Sequence, residues 1–406
     1  MRLQTLTLLL TLSASAFAAE GLSATDPAAV RIDAAQKAIA TDPDDPQAYL
    51  AMAAALCRKA RDSEDIRFYN RASAELEHAL ILSPANFEAR KLQVAVLLGK
   101  NELSQALKLA TELNRKTPDD ISVWGLLAEI NTGLGNYEEA MRDAQWVLDL
   151  RPGSTLGFME AARLREAYGD FEGAREFNED ALRRLPLSDL EERAWLLVQT
   201  ARESLYAGDV KGAASRLDEA LKENPESGAV LLGLARLRLR EGDAIGAVKL
   251  LEQRHKTANN ARTLYDLAAA LERAGMKDQA EAAFREFEAQ AKAEQDRPDN
   301  ANLQLVLYYA DHGLKLAPAL ELATREAALR HDFATLDSLS WALYANGRYT
   351  EAKAKMAEAL TTGVRDPSYF CHAAKIAAKV NDADGAKKFV QNALSLDPAA
   401  CTVESK

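Results

Sequence analysis

The side chains able to bind metals, carry protons or attack a carbonyl are five histidines, three cysteines and 61 acids. His78, His255, His312, His331 and His372 form no HExxH and no His–Cys spacing that would bring ligands to one metal ion. His78 reads as a helix-surface residue, and His255 and His331 fall near helix ends. No GxSxG elbow, glycine-rich phosphate loop or dinucleotide fingerprint occurs. Carboxylate pairs such as Glu138–Glu139 and Glu191–Glu192 have the chemistry of an acid–base couple, but in so acidic a helical chain they read as solvated faces. Catalysis needs a preorganised pocket, and these spacings specify none. The sequence points away from an enzyme and calls for no metal or cofactor.

The elements that position the remaining side chains are set by a repeat. Pro84, Pro118, Pro152 and Pro186 stand 34 residues apart, a period that marks stacked helical units. Aligned on these prolines, Trp124, Ala128, Gly135, Asn136, Tyr137 and Ala140 match Phe158, Ala162, Gly169, Asp170, Phe171 and Ala174. Gly208–Asp209, Gly242–Asp243 and Gly347–Arg348 continue the series. Apolar residues at i, i+3, i+4 and i+7 before each glycine give one buried helical face. Gly135 can take the left-handed conformation that ends a helix. Asn136 is placed to cap the next helix, with Glu139 completing a capping box. Small Ala128 and Ala140 let two antiparallel helices approach closely. Proline closes the unit, because its ring and missing N–H cannot continue a helix. Each unit reads as a helix–turn–helix hairpin.

The string from Trp124 through Leu127-Ala128 and Gly135-Asn136-Tyr137-Glu138-Glu139-Ala140 to Pro152 resembles the tetratricopeptide repeat (TPR) pattern. The resemblance implies an all-α solenoid, a right-handed superhelix of antiparallel helix pairs. About ten units open near Pro46, Phe87, Ile121, Thr155, Ala194, Gly228, Ala261, Asn300, Phe333 and Pro367, after a half-unit at Ala28–Ala40. The array is expected over 46–398, between an N-terminal segment 19–45 with an opening helix and a polar tail 399–406. The period slips in three places. About seven extra residues surround Arg61–Phe68, an insertion surrounds Leu187–Glu192, and Pro318 is expected in the first turn of a second helix.

By the same resemblance, first helices line the concave side, and the residue after each small packing residue faces the groove. Arg163, Arg202 and Arg236 occupy this row in consecutive units, about 10 Å apart, with Arg240 one turn beyond Arg236. They form a positive strip suited to carboxylates of a peptide or acidic polymer, unless Glu160, Glu166, Glu203 or Glu241 neutralise them locally. Tyr265, Tyr308, Trp341 and Tyr344 fall on the C-terminal groove face, either as contact area for a partner or sugar or as packing between helices. The Lys–Asn–Arg clamp by which some TPR proteins grip C-terminal peptides is not reproduced: Lys91 could mimic one member, but Ala95 and Glu129 stand where Asn is used. Cys371 lies early in the last first helix and Cys401 where a following unit would begin. A Cys371–Cys401 bridge leaving Cys57 free, and three unpaired thiols, both fit this placement.

Arg2, the apolar Leu6–Leu12 and Ala16-Phe17-Ala18 have the layout of a secretory signal peptide over 1–18, cleaved after Ala18. The apolar stretch is too short to span a bilayer, so a periplasmic or secreted protein without membrane insertion is expected. A net charge of −11 disfavours nucleic acid as partner, since phosphate neutralisation needs clustered Lys and Arg. The function expected is a non-catalytic cell-envelope scaffold that binds a partner polypeptide in its groove. The alternative is an accessory binder of exported polysaccharide or cell-wall glycan through the aromatic face. After Pro398 too few residues remain for a capping helix, so the last unit's apolar face is expected to be open to self-association or docking.

Overall fold

The computed structural model describes residues 27–401; the leader expected over 1–18 and the chain end at 402–406 lie outside the described residues. Twenty-one helices and no strand are found among the described residues. A first helix, α1 (Pro27–Thr41), precedes ten antiparallel pairs, numbered here as units one to ten. Units one to four are α2 (Pro46–Ser63) with α3 (Ile66–Leu82), α4 (Phe87–Gly99) with α5 (Leu103–Lys116), α6 (Ile121–Leu134) with α7 (Tyr137–Leu150), and α8 (Thr155–Ala167) with α9 (Phe171–Arg184). Units five to seven are α10 (Leu190–Tyr206) with α11 (Val210–Glu223), α12 (Gly228–Arg240) with α13 (Ala244–Thr257), and α14 (Ala261–Arg273) with α15 (Lys277–Ala293). Units eight to ten are α16 (Asn302–Asp311) with α17 (Leu316–Leu329), α18 (Phe333–Ala345) with α19 (Tyr349–Thr361), and α20 (Pro367–Lys379) with α21 (Ala383–Leu396).

The pairs close because their contact positions are alanines. Ala140, Ala174, Ala213, Ala247 and Ala352 expose nothing to solvent, and a methyl group at each lets the helix backbones come together. Second helices start on an acidic cap in five units, with Asp65 accepting from the Arg67 amide at 2.9 Å in unit one. Asp170, Asp209, Asp243 and Asp382 accept hydrogen bonds from the amides of Gly173, Gly212, Gly246 and Gly385, three residues on, at 2.8–3.0 Å. A Cβ at those glycines would meet the capping carboxylate at 2.0–2.6 Å, so the small residue is there to admit the cap. Asn136 departs from the expected capping box. Its side chain makes no cap bond and instead donates to Asn131 Oδ1 at 3.1 Å, while Asn131 donates to Asp143 at 2.7 Å.

The slips in the period have structural outcomes. The extra residues around Arg61–Phe68 lengthen both helices of unit one, which run 18 and 17 residues and turn at Glu64 in the left-handed conformation. The insertion around Leu187–Glu192 starts α10 at Leu190, four residues ahead of the opening placed at Ala194. Pro318 is the third residue of α17, inside its first turn.

The units wind so tightly that successive superhelical turns touch. The Glu64 carbonyl, at the turn of unit one, accepts from Asn260 Nδ2 at 3.0 Å, just ahead of unit seven. Asn101, at the turn of unit two, donates to the Pro298 carbonyl at 2.5 Å, ahead of unit eight. In unit three, Tyr137 Oη accepts from the Phe333 amide at 2.9 Å, where unit nine begins. In unit four, the Ala167 carbonyl accepts from the Arg365 amide at 2.8 Å, ahead of unit ten. Gly208, at the turn of unit five, lies against Pro398, where an eleventh unit would begin. Each turn therefore docks on the loop that opens the sixth unit after it, and these contacts form a seam along the superhelix.

Candidate binding groove and seam

The expected arginine strip is mostly neutralised. Arg163 Nη1 lies 3.5 Å from Glu129 Oε2, one unit back in the same row, and 3.6 Å from Glu160 Oε2. Arg202 pairs with Glu166 of the preceding unit. Arg240 reaches along the axis to Asp397, each of its two terminal nitrogens bonding one carboxylate oxygen at 2.7 Å. Arg236 differs: it is exposed and forms no ion pair among the described residues. Behind the strip are two nearly inaccessible acids. Burial lifts Glu160 to about 7, with Arg163 opposing, and lifts Glu203 to about 8, with the charge of Glu166 adding to it. Lys91 is held by Glu88 and Asp120 at 3.0 and 3.1 Å.

The aromatic side chains serve as packing rather than as an open face. Trp341 is 5% exposed, stacks on Tyr344 and His372 with centroids 4.6 and 4.1 Å apart, and donates its indole N–H to Asp311 at 2.7 Å. His372 in turn bonds Asp337 at 3.0 Å. Burial opposes the charged imidazolium, but the Asp337 carboxylate outweighs it and holds His372 above its ordinary range. Tyr308 is buried and stacks on Phe284 at 4.5 Å; Tyr265 is half-buried against Phe284 and Phe287. Ten of the thirteen residues of α18 are buried, because Tyr137 from the previous superhelical turn closes over its start. The indole of Trp341 is thus taken up by packing, and of the aromatic groove face expected from sequence Tyr265 and Tyr344 remain half-buried.

Beside the seam, arginines that the sequence left without a role join α1 and unit one to units five and six, and Glu191 and Glu192, expected on a solvated face, are partners in these contacts, Glu191 being 1% exposed. Arg58 Nη1 lies 3.0 Å from Asp189, Arg61 Nη1 lies 2.9 Å from Glu192, and Arg31 pairs with Glu191. Glu64 accepts from Arg254 Nε and Nη2 at 2.6 and 3.0 Å, and Arg254 also bonds Asp266 at 2.5 Å. Two period slips, at Arg61–Phe68 and Leu187–Glu192, thus meet in space; their positions in the repeat were the signal available in the sequence. Three cavities, of about 670, 470 and 390 Å³, lie along the seam. The first is walled by the turn of unit one, the start of α14 and the segment after α15.

The C-terminal end, expected to present an open apolar face, is covered in part, and Leu394 of α21 stays exposed. Ala393, Leu396 and Ala400 pack with Phe171 and Tyr206 from the previous superhelical turn, while α21 shows solvent Asp384, Lys387, Lys388 and Gln391. Cys371 and Cys401 are joined in a disulfide with Cα atoms 5.4 Å apart. Cys57 is unpaired, and burial pushes its thiol up to about 12, which leaves it protonated and inert at neutral pH.

Comparison with known proteins agrees with this architecture. A family model described as the tetratricopeptide repeat matches residues 69–130 and 204–254. No curated protein matches the sequence. Among solved structures, the APC/C hetero-tetramer Cut9–Hcn1 is similar at 14% identity and a TM-score of 0.54, over 89% of this chain and 58% of that one. The chain thus spans little more than half the length of that relative. The human IFIT1 dimer with PPP-AAAA is similar at 12% identity and a TM-score of 0.50, over 91% of this chain and 95% of that one. At such identities the likeness concerns the fold. The helix pairs and the matched segments make this chain a TPR protein, with the fold of a protein–protein interaction scaffold. No helix among the described residues is long and apolar enough to cross a membrane.

Proposed function

We propose that the protein is a non-catalytic scaffold of the cell envelope, exported by cleavage after Ala18, which holds a partner polypeptide on the inner row of its first helices. The observation that carries this reading is Arg236, a guanidinium exposed in the groove row without a carboxylate of its own. A planar fork with free donors gains most from a partner's carboxylate, since a charge-assisted bidentate pair is stronger than an ordinary hydrogen bond. Arg163 and Arg202 would contribute less, because a partner must compete with Glu129, Glu160 and Glu166 for them. Tyr344, half-buried beside Trp341, and Tyr265 would then bound the C-terminal end of the contact.

Crosslinking in intact cells, followed by affinity capture with the identified partner, tests this. Capture should weaken as salt rises, and Arg236→Glu should reduce affinity by tenfold or more. Arg163→Glu with Arg202→Glu should add a smaller loss. Capture that is indifferent to both salt and Arg236→Glu would remove the groove row from the proposal.

A further inference from the structure

The seam cavity at the turn of unit one, about 670 Å³, is lined by five arginines and four carboxylates. Four of the arginines have an acid of their own. Arg61 bonds Glu192 at 2.9 Å, Arg67 bonds Asp65 at 2.7 Å, Arg254 bonds Glu64 at 2.6 Å and Arg297 bonds Asp299 at 2.6 Å. Arg262 is the exception. It is open to the cavity, and the one bond its guanidinium makes is from Nη2 to the backbone carbonyl of Asn300, at 3.0 Å. Desolvation by the surrounding wall, then the charge of Arg330, pull it below the ordinary guanidinium value. A cation in such a place is stabilised by any anion that joins it.

We propose that this cavity is a second recognition site, in which Arg262 receives the carboxylate of a single acidic side chain from an extended peptide. The local charge selects the ligand. Arg262 is the arginine of this wall without an ion pair among the described residues and can take one carboxylate, whereas a phosphate dianion would bring a second charge close to Glu64, Asp65, Glu294 and Asp299. The guanidinium fork matches a carboxylate in two parallel bonds. Exposed Asn259 lines the same wall and offers its side-chain amide to the peptide backbone. The volume is several times that of the carboxylate alone, so residues flanking the acid have room to enter.

The peptide character of the ligand rests on the scaffold reading; the test separates the two. Full-length protein is titrated calorimetrically with an acetylated, amidated pentapeptide carrying one central glutamate, with its glutamine counterpart, and with inorganic phosphate. The glutamate peptide should bind at least tenfold more tightly than the glutamine peptide. Arg262→Gln should abolish that difference, and Arg262→Lys, which keeps the charge but not the fork, should retain part of it. Circular dichroism unchanged in both variants establishes that they fold. Equal binding of the two peptides, or a preference that survives Arg262→Gln, overturns the site. Phosphate competing as well as the glutamate peptide overturns the single-charge assignment. None of these results bears on the scaffold reading, which fails by capture that ignores Arg236.

Discussion

Glu203 sits on α10 with 1% of its surface exposed, accepting from Asn178 at 2.7 Å through one oxygen and leaving the other without a donor. Burial, then the charge of Glu166, raises it from 4.5 to about 8. A folded value above the unfolded one means that protonation favours folding. This contribution is intact below about pH 4.5 and is lost as pH climbs through about 8. Glu203→Gln keeps the bond from Asn178 and cannot ionise. It should lie within about 1 kcal/mol of the wild type in urea unfolding at pH 5 and exceed it by about 5 kcal/mol at pH 9. Equal stability at both values would show that Glu203 is solvated after all. At this scale the sequence set the rows and offered Glu160 and Glu166 as neighbouring acids, but left open whether they pair with the arginines. The repeat register sets Arg163 and Arg202 in one inner row, and Glu129 and Glu166 in the structure are their acids from the unit before. Trp341 shared that row, yet Tyr344, His372 of the next unit and Asp311 of the preceding one enclose its ring, a packing that depends on side-chain rotamers the register does not state.

Among the elements, the turn between the two helices of a unit does two jobs, and a pair of glycines separates them. Gly135 has φ +85°, and a Cβ there would stand 2.5 Å from the His331 carbonyl carbon across the seam. Gly347 has φ +75° and nothing within 4 Å, since no described unit packs across it. Gly347→Ala should therefore cost only the left-handed backbone penalty, about 1 kcal/mol. Gly135→Ala should cost about 3 kcal/mol or more, since it also forces the seam apart. Thermal melts of the two variants measure the difference; equal losses would deny a contact at unit three. Asn101 and Asn381 occupy the same turn position with φ of 59° and 60°, so Gly347→Asn should be nearly neutral. Hairpins of this kind were fully legible, because proline, glycine and apolar spacing act over a few residues. The Asn136 cap was misjudged for a tertiary reason: Asn131, buried beneath it and bonded to Asp143, offers a better acceptor.

The whole molecule adds a level that neighbouring repeats cannot encode. Each unit buries its core against the units beside it, so helix content depends on contacts near in sequence. The long-range hydrogen bonds join residues 131 to 198 positions apart, and their polarity leaves no periodic hydrophobic trace. Only the slips at Arg61–Phe68 and Leu187–Glu192 hinted at them, as departures from the period whose purpose becomes apparent when the chain has wound once around. Because these two sets of contacts are separable, the seam can be opened without melting the units. Arg58→Glu, Arg61→Glu and Arg254→Glu together set like charges against Asp189, Glu192 and Glu64. Like charges at such distances repel in a half-buried site, where solvent screens them incompletely. Far-UV circular dichroism of the triple variant should match the wild type, while its radius of gyration by solution scattering should rise as the superhelix relaxes lengthwise. Reversing the acids as well, with Asp189→Arg, Glu192→Arg and Glu64→Arg, should restore the compact value. A triple variant with unchanged dimensions would mean that the units wind to this pitch by their own stacking, with the ion pairs following the shape.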